Sequence, residues 1–118
     1  MTTEQIAARL HELVLQGDAE TAYQELFSEN AVAIEPKFAG FERVEGLDGI
    51  RKKGQALLAG VASINSREVS PAKVVGDQHI ALGISLDAHL KNGDRMAFSE
   101  IALYEVQDGK IISEQFFY

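Results

Sequence analysis

Two hydrophobic periodicities divide the chain into a helical first part and a strand-rich second part. Apolar residues recur at helical spacing over residues 4–16, which predicts an amphipathic helix. Gly17 suits the stop of that helix, and Asp18 suits the N-cap of a second helix over residues 19–27. A third amphipathic helix is predicted over residues 47–59.

The strand pattern starts with a short apolar run over residues 31–34, which ends before Pro36, and residues 36–45 read as a loop. Four longer strands follow, over residues 62–75, 79–90, 95–106 and 110–118. Turn residues separate them at Gly76-Asp77, Asn92-Gly93-Asp94 and Asp108-Gly109. Long antiparallel strands curl because their twist accumulates. We therefore predict an α+β fold, in which three N-terminal helices pack in a strongly curved antiparallel meander sheet that forms a cone.

Composition narrows the range of partners. The chain has 118 residues, the size of one domain, and a net charge of −7. An acidic chain without a basic run is a poor candidate for binding nucleic acid or an anionic membrane surface. The partners that the charge allows are a small neutral or cationic molecule or another protein. No apolar run approaches the ~20 residues of a membrane span, and the first residues do not resemble a secretory signal. We expect a cytoplasmic protein.

Several acidic residues stand where they could perform acid–base chemistry. Glu35 ends an apolar strand, and a carboxylate there could move a proton next to a carbonyl group. Strand alternation places Glu100 on one face with Phe98 and Tyr104, where burial would raise its pKa. Glu114 and Tyr118 share one face of the last strand and could form a polar pair inside. The competing interpretation is that these acids lie in solvent.

A third strand carries its own polar face. Alternation groups Ser85, Asp87 and His89 on one side, which either lines a pocket or forms the outer face of a half-exposed strand. The sequence contains no cysteine and no clustered histidine spacing, so we predict neither a metal site nor a cofactor.

The order of the elements resembles the nuclear-transport-factor-2-like superfamily, also called cystatin-like α+β barrels, and within it the SnoaL-like polyketide cyclases. The stretches that carry the resemblance are residues 18–27, 31–36, 44–46, 108–111 and 115–118. The resemblance implies that residues 1–118 form a single SnoaL-like domain with an internal pocket. It also implies a homodimer through the outer face of the sheet.

The resemblance also implies roles for individual residues. Glu35 corresponds to the general-base aspartate of ketosteroid isomerases, and Glu100 lies near their protonated aspartate. Asp87 matches an active-site aspartate of limonene epoxide hydrolases. The chain departs from both families: Ser85 replaces the epoxide hydrolase arginine, and Leu10 stands near the isomerases' helix tyrosine. The last-strand aspartate of the epoxide hydrolases is also replaced, by Phe116.

From these patterns we predict a small-molecule-binding protein, either an isomerase or cyclase acting on a small apolar carbonyl compound or a non-catalytic binding or dimerisation module. The predicted catalytic residues are Glu35, Glu100 and Asp87. The predicted ligand-binding residues are Tyr23, Phe27, Phe38, His89, Phe98, Tyr104, Glu114, Phe116 and Tyr118. A purely structural protein, with phenylalanine side chains filling the interior, is the third interpretation.

Overall fold

The computed structural model describes residues 1–36 and 42–118, in which three helices pack against one seven-stranded sheet. The helices are α1 (Thr3–Gln16), α2 (Ala19–Leu26) and α3 (Leu47–Ala59). The strands are β1 (Phe27–Ile34), β2 (Arg43–Glu45), β3 (Val61–Val69), β4 (Lys73–Val75), β5 (His79–Leu90), β6 (Arg95–Gln107) and β7 (Lys110–Phe117). The predicted α+β class and its three helices are confirmed.

The first two helices form the hairpin that the sequence predicts. The Thr2 hydroxyl accepts a hydrogen bond from the Gln5 backbone N–H at 3.2 Å, and the Gln5 side chain accepts one from the Thr2 backbone N–H at 2.9 Å. This reciprocal pair fixes the start of α1. Gly17 ends the helix in the left-handed conformation, with φ 72°. Asp18 then accepts from the Thr21 N–H at 3.1 Å and starts α2.

The sheet is mixed, which corrects the prediction of an antiparallel meander. Its strand order is β2-β1-β7-β6-β5-β3, with β4 paired to β5. Strand β1 runs parallel to β7, and the other strand pairs are antiparallel. Hairpin turns govern only strands that follow one another along the chain. Strand β1 instead joins the sheet beside the last strand, after α2 and before α3.

The predicted strand over residues 62–75 is two strands, β3 and β4. Pro71 lies between them and has no N–H to donate to a ladder. Around this break, the Ser70 backbone N–H donates to the Gly83 carbonyl at 2.9 Å, and the Gly83 N–H donates to the Ser70 hydroxyl at 2.7 Å. The chain therefore stays attached to β5 while its strand is interrupted.

Curvature accompanies irregular pairing. The register shifts between β3 and β5 at two points and between β6 and β7 at one, and such bulges bend a strand and increase its twist. The β6–β7 hairpin closes through Asp108 and Gly109, whose φ angles of 53° and 75° match a two-residue turn that requires positive values. The cone shape and the internal pocket stay predictions.

The core lies between the helices and one face of the sheet. Helix side chains pack against alternate residues of β5, β6 and β7, and none of the described helices covers the opposite face of the sheet. The largest fully buried side chains are Ile6, Leu10, Leu13, Leu26, Ile50, Ile80 and Ile111. This face, called here the inner face, also carries the candidate site.

Candidate functional site

Glu35 lies at one edge of the sheet, directly after β1. The residue is 8% exposed, and its carboxylate accepts hydrogen bonds from the Lys53 Nζ at 2.8 Å and from the Tyr118 hydroxyl at 2.9 Å. Parallel pairing explains the second contact, because Ile34 lies opposite Gln115 and the ends of β1 and β7 meet at this edge. The fold thus joins Glu35 to a residue 83 positions away in the sequence.

Lys53 supplies the positive charge beside Glu35. The two side chains are only 9% and 6% exposed, and the Lys53 Nζ also lies 5.0 Å from the centre of the Phe116 ring. An ammonium near an aromatic ring is attracted by the charge distribution of that ring. Lys53 is not among the residues predicted from the sequence, because a lysine in an amphipathic helix is normally solvated. Its position three residues after the buried Ile50 was the available signal.

Glu100 and Glu114 add two further carboxyl groups on the inner face. Glu114 is 4% exposed and Glu100 is half-buried. Burial raises the pKa of Glu114 to about 7, and the charges of Glu35 and Glu100 add to this effect while Lys53 opposes it. Burial also raises the pKa of Glu100 to about 7. The charge of Glu35 raises this pKa further, and the charge of Lys53 lowers it. Both groups therefore hold a proton up to a higher pH than a solvated glutamate does.

Three tyrosines surround these carboxyl groups. Burial, and then the hydrogen bond to Glu35, raise the pKa of Tyr118 to about 12. Burial also raises the pKa values of Tyr23 and Tyr104, and the nearby charge of Glu114 contributes to both. All three hydroxyls therefore stay protonated at neutral pH, so each can donate a hydrogen bond.

An aromatic row continues from these tyrosines into the core. The Tyr23 ring meets the Phe27 ring edge-on at 5.2 Å, and the Phe27 ring meets the Tyr104 ring in the same way at 6.3 Å. Gly54 of α3 faces this row, since a Cβ atom there would lie 3.4 Å from the Tyr23 hydroxyl. Tyr104 stands opposite Glu114 in the β6–β7 pairing, which connects the row to the carboxyl groups.

A cleft with a volume of about 460 Å³ opens next to Glu35. Aromatic and charged side chains from β1, β2 and β7 form its walls. Its lining residues are Ile34, Glu35, Pro36, Glu42, Arg43, Gln115, Phe116, Phe117 and Tyr118. Three predicted residues, Glu35, Phe116 and Tyr118, therefore meet at one opening.

Asp87 and His89 lie on the other face of the sheet, away from the carboxyl groups. Asp87 accepts hydrogen bonds from the Arg95 Nε at 3.0 Å and from the Asn65 side chain at 2.9 Å. His89 Nδ1 is bonded to the Asn65 Oδ1 at 3.0 Å. The hydrogen bond from Arg95 holds the pKa of Asp87 at about 2. Ser85 and Asp87 therefore belong to a polar outer face, where both line a separate cleft of about 400 Å³, and Asp87 does not join Glu35 in one site.

The remaining predicted residues are distributed as follows. Phe27 is buried in the aromatic row, and Phe98 is half-buried two positions from Glu100 on β6. Phe38 lies outside the described residues. Within residues 1–36 and 42–118, no three histidine or acidic side chains are grouped in a way that could hold a metal ion. None of the helices in those ranges is both long enough and apolar enough to cross a membrane.

Comparison with known proteins identifies the fold and the family. The family model for the SnoaL-like domain matches residues 1–118. The chain is similar to a predicted SnoaL-like polyketide cyclase from Mesorhizobium loti, with 28% identity, a TM-score of 0.90 and 100% of both chains covered. No curated protein sequence matches it.

Two more distant solved structures share the fold. One is an uncharacterized cystatin-fold protein from Novosphingobium aromaticivorans, which is 18% identical with a TM-score of 0.76 over 100% of this chain and 99% of that one. The other is TerC, co-crystallized with polyporic acid, which is 11% identical with a TM-score of 0.72 over 92% of this chain and 84% of that one. A small molecule is thus bound by a protein of this architecture.

Proposed function

Because the chain belongs to the SnoaL-like domain family, we propose that it is a single-domain protein that binds a small, mostly apolar carbonyl compound and moves protons on it with carboxyl groups. The observation that carries this proposal is the buried pair of Glu35 and Lys53 beside a cleft, with Glu100 and Glu114 near enough for the charges of that pair to act on their pKa values. Carboxyl groups with different environments can divide the roles of base and acid between them.

In the proposed reaction, Glu35 is the base. Its carboxylate removes a proton from the carbon next to the carbonyl group, which leaves an enolate, and the protonated Glu35 then returns that proton to another carbon. Lys53 and Tyr118 orient the carboxylate through the two hydrogen bonds described above. Glu100, in its neutral form, donates a hydrogen bond to the enolate oxygen. The net result is an isomerisation with no atom gained or lost.

The conversion of 3-cyclohexenone to its conjugated isomer, followed by ultraviolet absorbance, tests this reaction. We expect E35Q to lower the rate by about 100-fold or more, which is the usual contribution of a positioned base. E29Q is the matched control, because Glu29 is exposed on the same strand, and its rate should equal that of the unmodified protein. An E35Q rate equal to the control rate would contradict the assignment of the base.

A second candidate function is a non-catalytic binding or dimerisation module. The observation in its favour is an apolar pair on the outer face, where Ile101 and Phe117 lie opposite each other and are 57% and 46% exposed. We propose that a second copy of the chain covers this pair, and that the protein is cytoplasmic. This candidate would be favoured if the protein binds a ligand but neither converts 3-cyclohexenone nor catalyses hydrogen exchange in similar ketones.

The oligomeric state can be measured independently of catalysis. We expect sedimentation to show a dimer for the unmodified protein and a monomer for I101K, because a charge would have to be buried in the interface. L58K is the matched control, since Leu58 is equally exposed, at 58%, but lies on α3. A dimeric I101K, or a monomeric unmodified protein, would contradict the proposed interface.

A further inference from the structure

The cleft beside Glu35 extends onto the outer face of the sheet. Ala33 and Glu35 are buried on the inner face, so alternation along β1 places Ile34, which lies between them, on the outer face. The same alternation along β7 places Gln115 and Phe117 on the outer face. All three of these outer residues line the cleft. None of the described helices covers this side of it.

The strands next to the cleft carry an outer surface without charge, called here the uncharged patch. Its residues alternate with the inner residues of β5, β6 and β7, and each of them is half-exposed or exposed. They are Ala81, Gly83, Ser85, Ala97, Ser99, Ile101, Leu103, Ser113, Gln115 and Phe117. None of these residues is charged, although 25% of the chain is. The exposed apolar pair of Ile101 and Phe117 lies in this patch, at the cleft.

The charge of the whole chain favours a second copy as the partner that covers the uncharged patch. With a net charge of −7, two copies repel each other wherever their carboxylates meet. The patch lets them approach without placing like charges opposite each other. Beside it, Asp87 is paired with Arg95, and Arg43 is paired with Glu45. A two-fold axis would place the patch of one copy against the same patch of the other.

We infer that the second copy also completes the ligand cleft, because its outer face supplies the wall that a single chain lacks beside Ile34 and Phe117. Pockets bury about 70–90% of the surface of a small ligand, and enclosure on the outer face is what this cleft needs for that. Phe117 belongs both to the cleft and to the exposed apolar pair. Ligand binding and dimerisation should therefore strengthen each other by the same factor.

This inference rests on the proposed cleft and the proposed interface, and it holds with or without catalysis. Thiol labelling tests it without any ligand. The chain contains no cysteine, so Q115C introduces a single thiol at the outer wall of the cleft. We expect iodoacetamide to label Q115C at least ~10-fold more slowly in the dimer than in the monomeric double variant Q115C/I101K, because the interface excludes the reagent.

Q55C is the matched control for labelling. Gln55 is exposed on α3, which packs on the inner face, so its rate should be the same with and without I101K. If I101K does not fold, as judged by circular dichroism, Q115C is labelled at protein concentrations above and below the dissociation constant of the dimer. Labelling should then be slow only at the higher concentration.

Cyclohexanone binding, followed by amide chemical shifts of ¹⁵N-labelled protein, tests the linkage. Ile101 does not line the cleft, so I101K can weaken binding only through the lost partner. We expect its affinity to fall at least ~3-fold, while L58K keeps the full affinity.

Two results would overturn the inference: a dimer in which Q115C is labelled as fast as in the monomer, or a cyclohexanone affinity that I101K leaves unchanged. If cyclohexanone does not bind at all, the labelling rates decide. The proposed reaction fails by a different measurement, namely an unchanged 3-cyclohexenone rate in E35Q. The proposed interface fails if the unmodified protein sediments as a monomer, so the failures are distinguishable.

Discussion

The buried carboxyl of Glu114 makes the stability of this protein depend on pH, and E114Q measures that dependence. Burial raises the pKa of this group from 4.5 to about 7 in the folded state. The folded state therefore holds the proton more tightly than the unfolded chain does. Stability from this group is fully present below pH 4.5 and is lost as the pH rises through 7.

The size of the effect follows from the two pKa values. A difference from 4.5 to about 7 corresponds to about 3 kcal/mol in total, at 1.36 kcal/mol for each pH unit. Between pH 5 and pH 8, this group should lower the free energy of unfolding by about 2–3 kcal/mol. Glutamine cannot ionise, so E114Q should lack this part of the loss.

Urea unfolding at pH 5 and pH 8, followed by circular dichroism, provides the comparison. A buried amide without partners costs about 1–3 kcal/mol, but it costs the same at both pH values and cancels when they are compared. We expect E114Q to gain about 2–3 kcal/mol relative to the unmodified protein on going from pH 5 to pH 8. E29Q, at an exposed position, should show no such gain. If the free energies of E114Q and the unmodified protein change in parallel with pH, the burial argument is wrong.

Two further predictions concern the helix hairpin and the buried lysine. G17A should lower the free energy of unfolding by about 1–2 kcal/mol, because φ is 72° and a Cβ atom would lie 2.5 Å from the Arg67 Nη1. The control in thermal unfolding is G60A, since the φ angle of Gly60 is −87° and the space around its Cβ position is open. Equal losses of stability in both variants would refute the reasoning. K53M should raise the pKa values of the carboxyl groups on β6 and β7 above about 7, because Lys53 lowers both. Titration followed by ¹³C NMR of the carboxyl carbons measures this, and values that stay the same or fall contradict it.

The sequence pattern located most elements because their signals are local. Helix α3 occupies residues 47–59 and strand β5 occupies residues 79–90, as predicted. Strand β1 was predicted too short, at residues 31–34 rather than Phe27–Ile34. The reason is that Phe27 also continues the apolar face of the preceding helix, so helical and strand patterns overlap there.

The face that carries the acids was partly predictable. Alternation along β6 correctly grouped Glu100 with Tyr104, and on the inner face Tyr104 is buried while Glu100 is half-buried. The same alternation along β5 could not decide whether Asp87 points inward, because both of its faces contain small or apolar residues. A shift of register by one residue exchanges the two faces, so only the assembled sheet determines which side meets the core.

The sequence by itself therefore determined the element types, most of their bounds, and which residues share a strand face, since these depend on neighbours two to four positions apart. Only the tertiary structure decided that β1 runs parallel to β7, and hence that Tyr118 and Lys53 converge on Glu35. Contacts between residues far apart in the chain are set by how the sheet and helices bury their apolar faces together. The local periodicity of hydrophobic residues does not indicate which distant residues will come into contact.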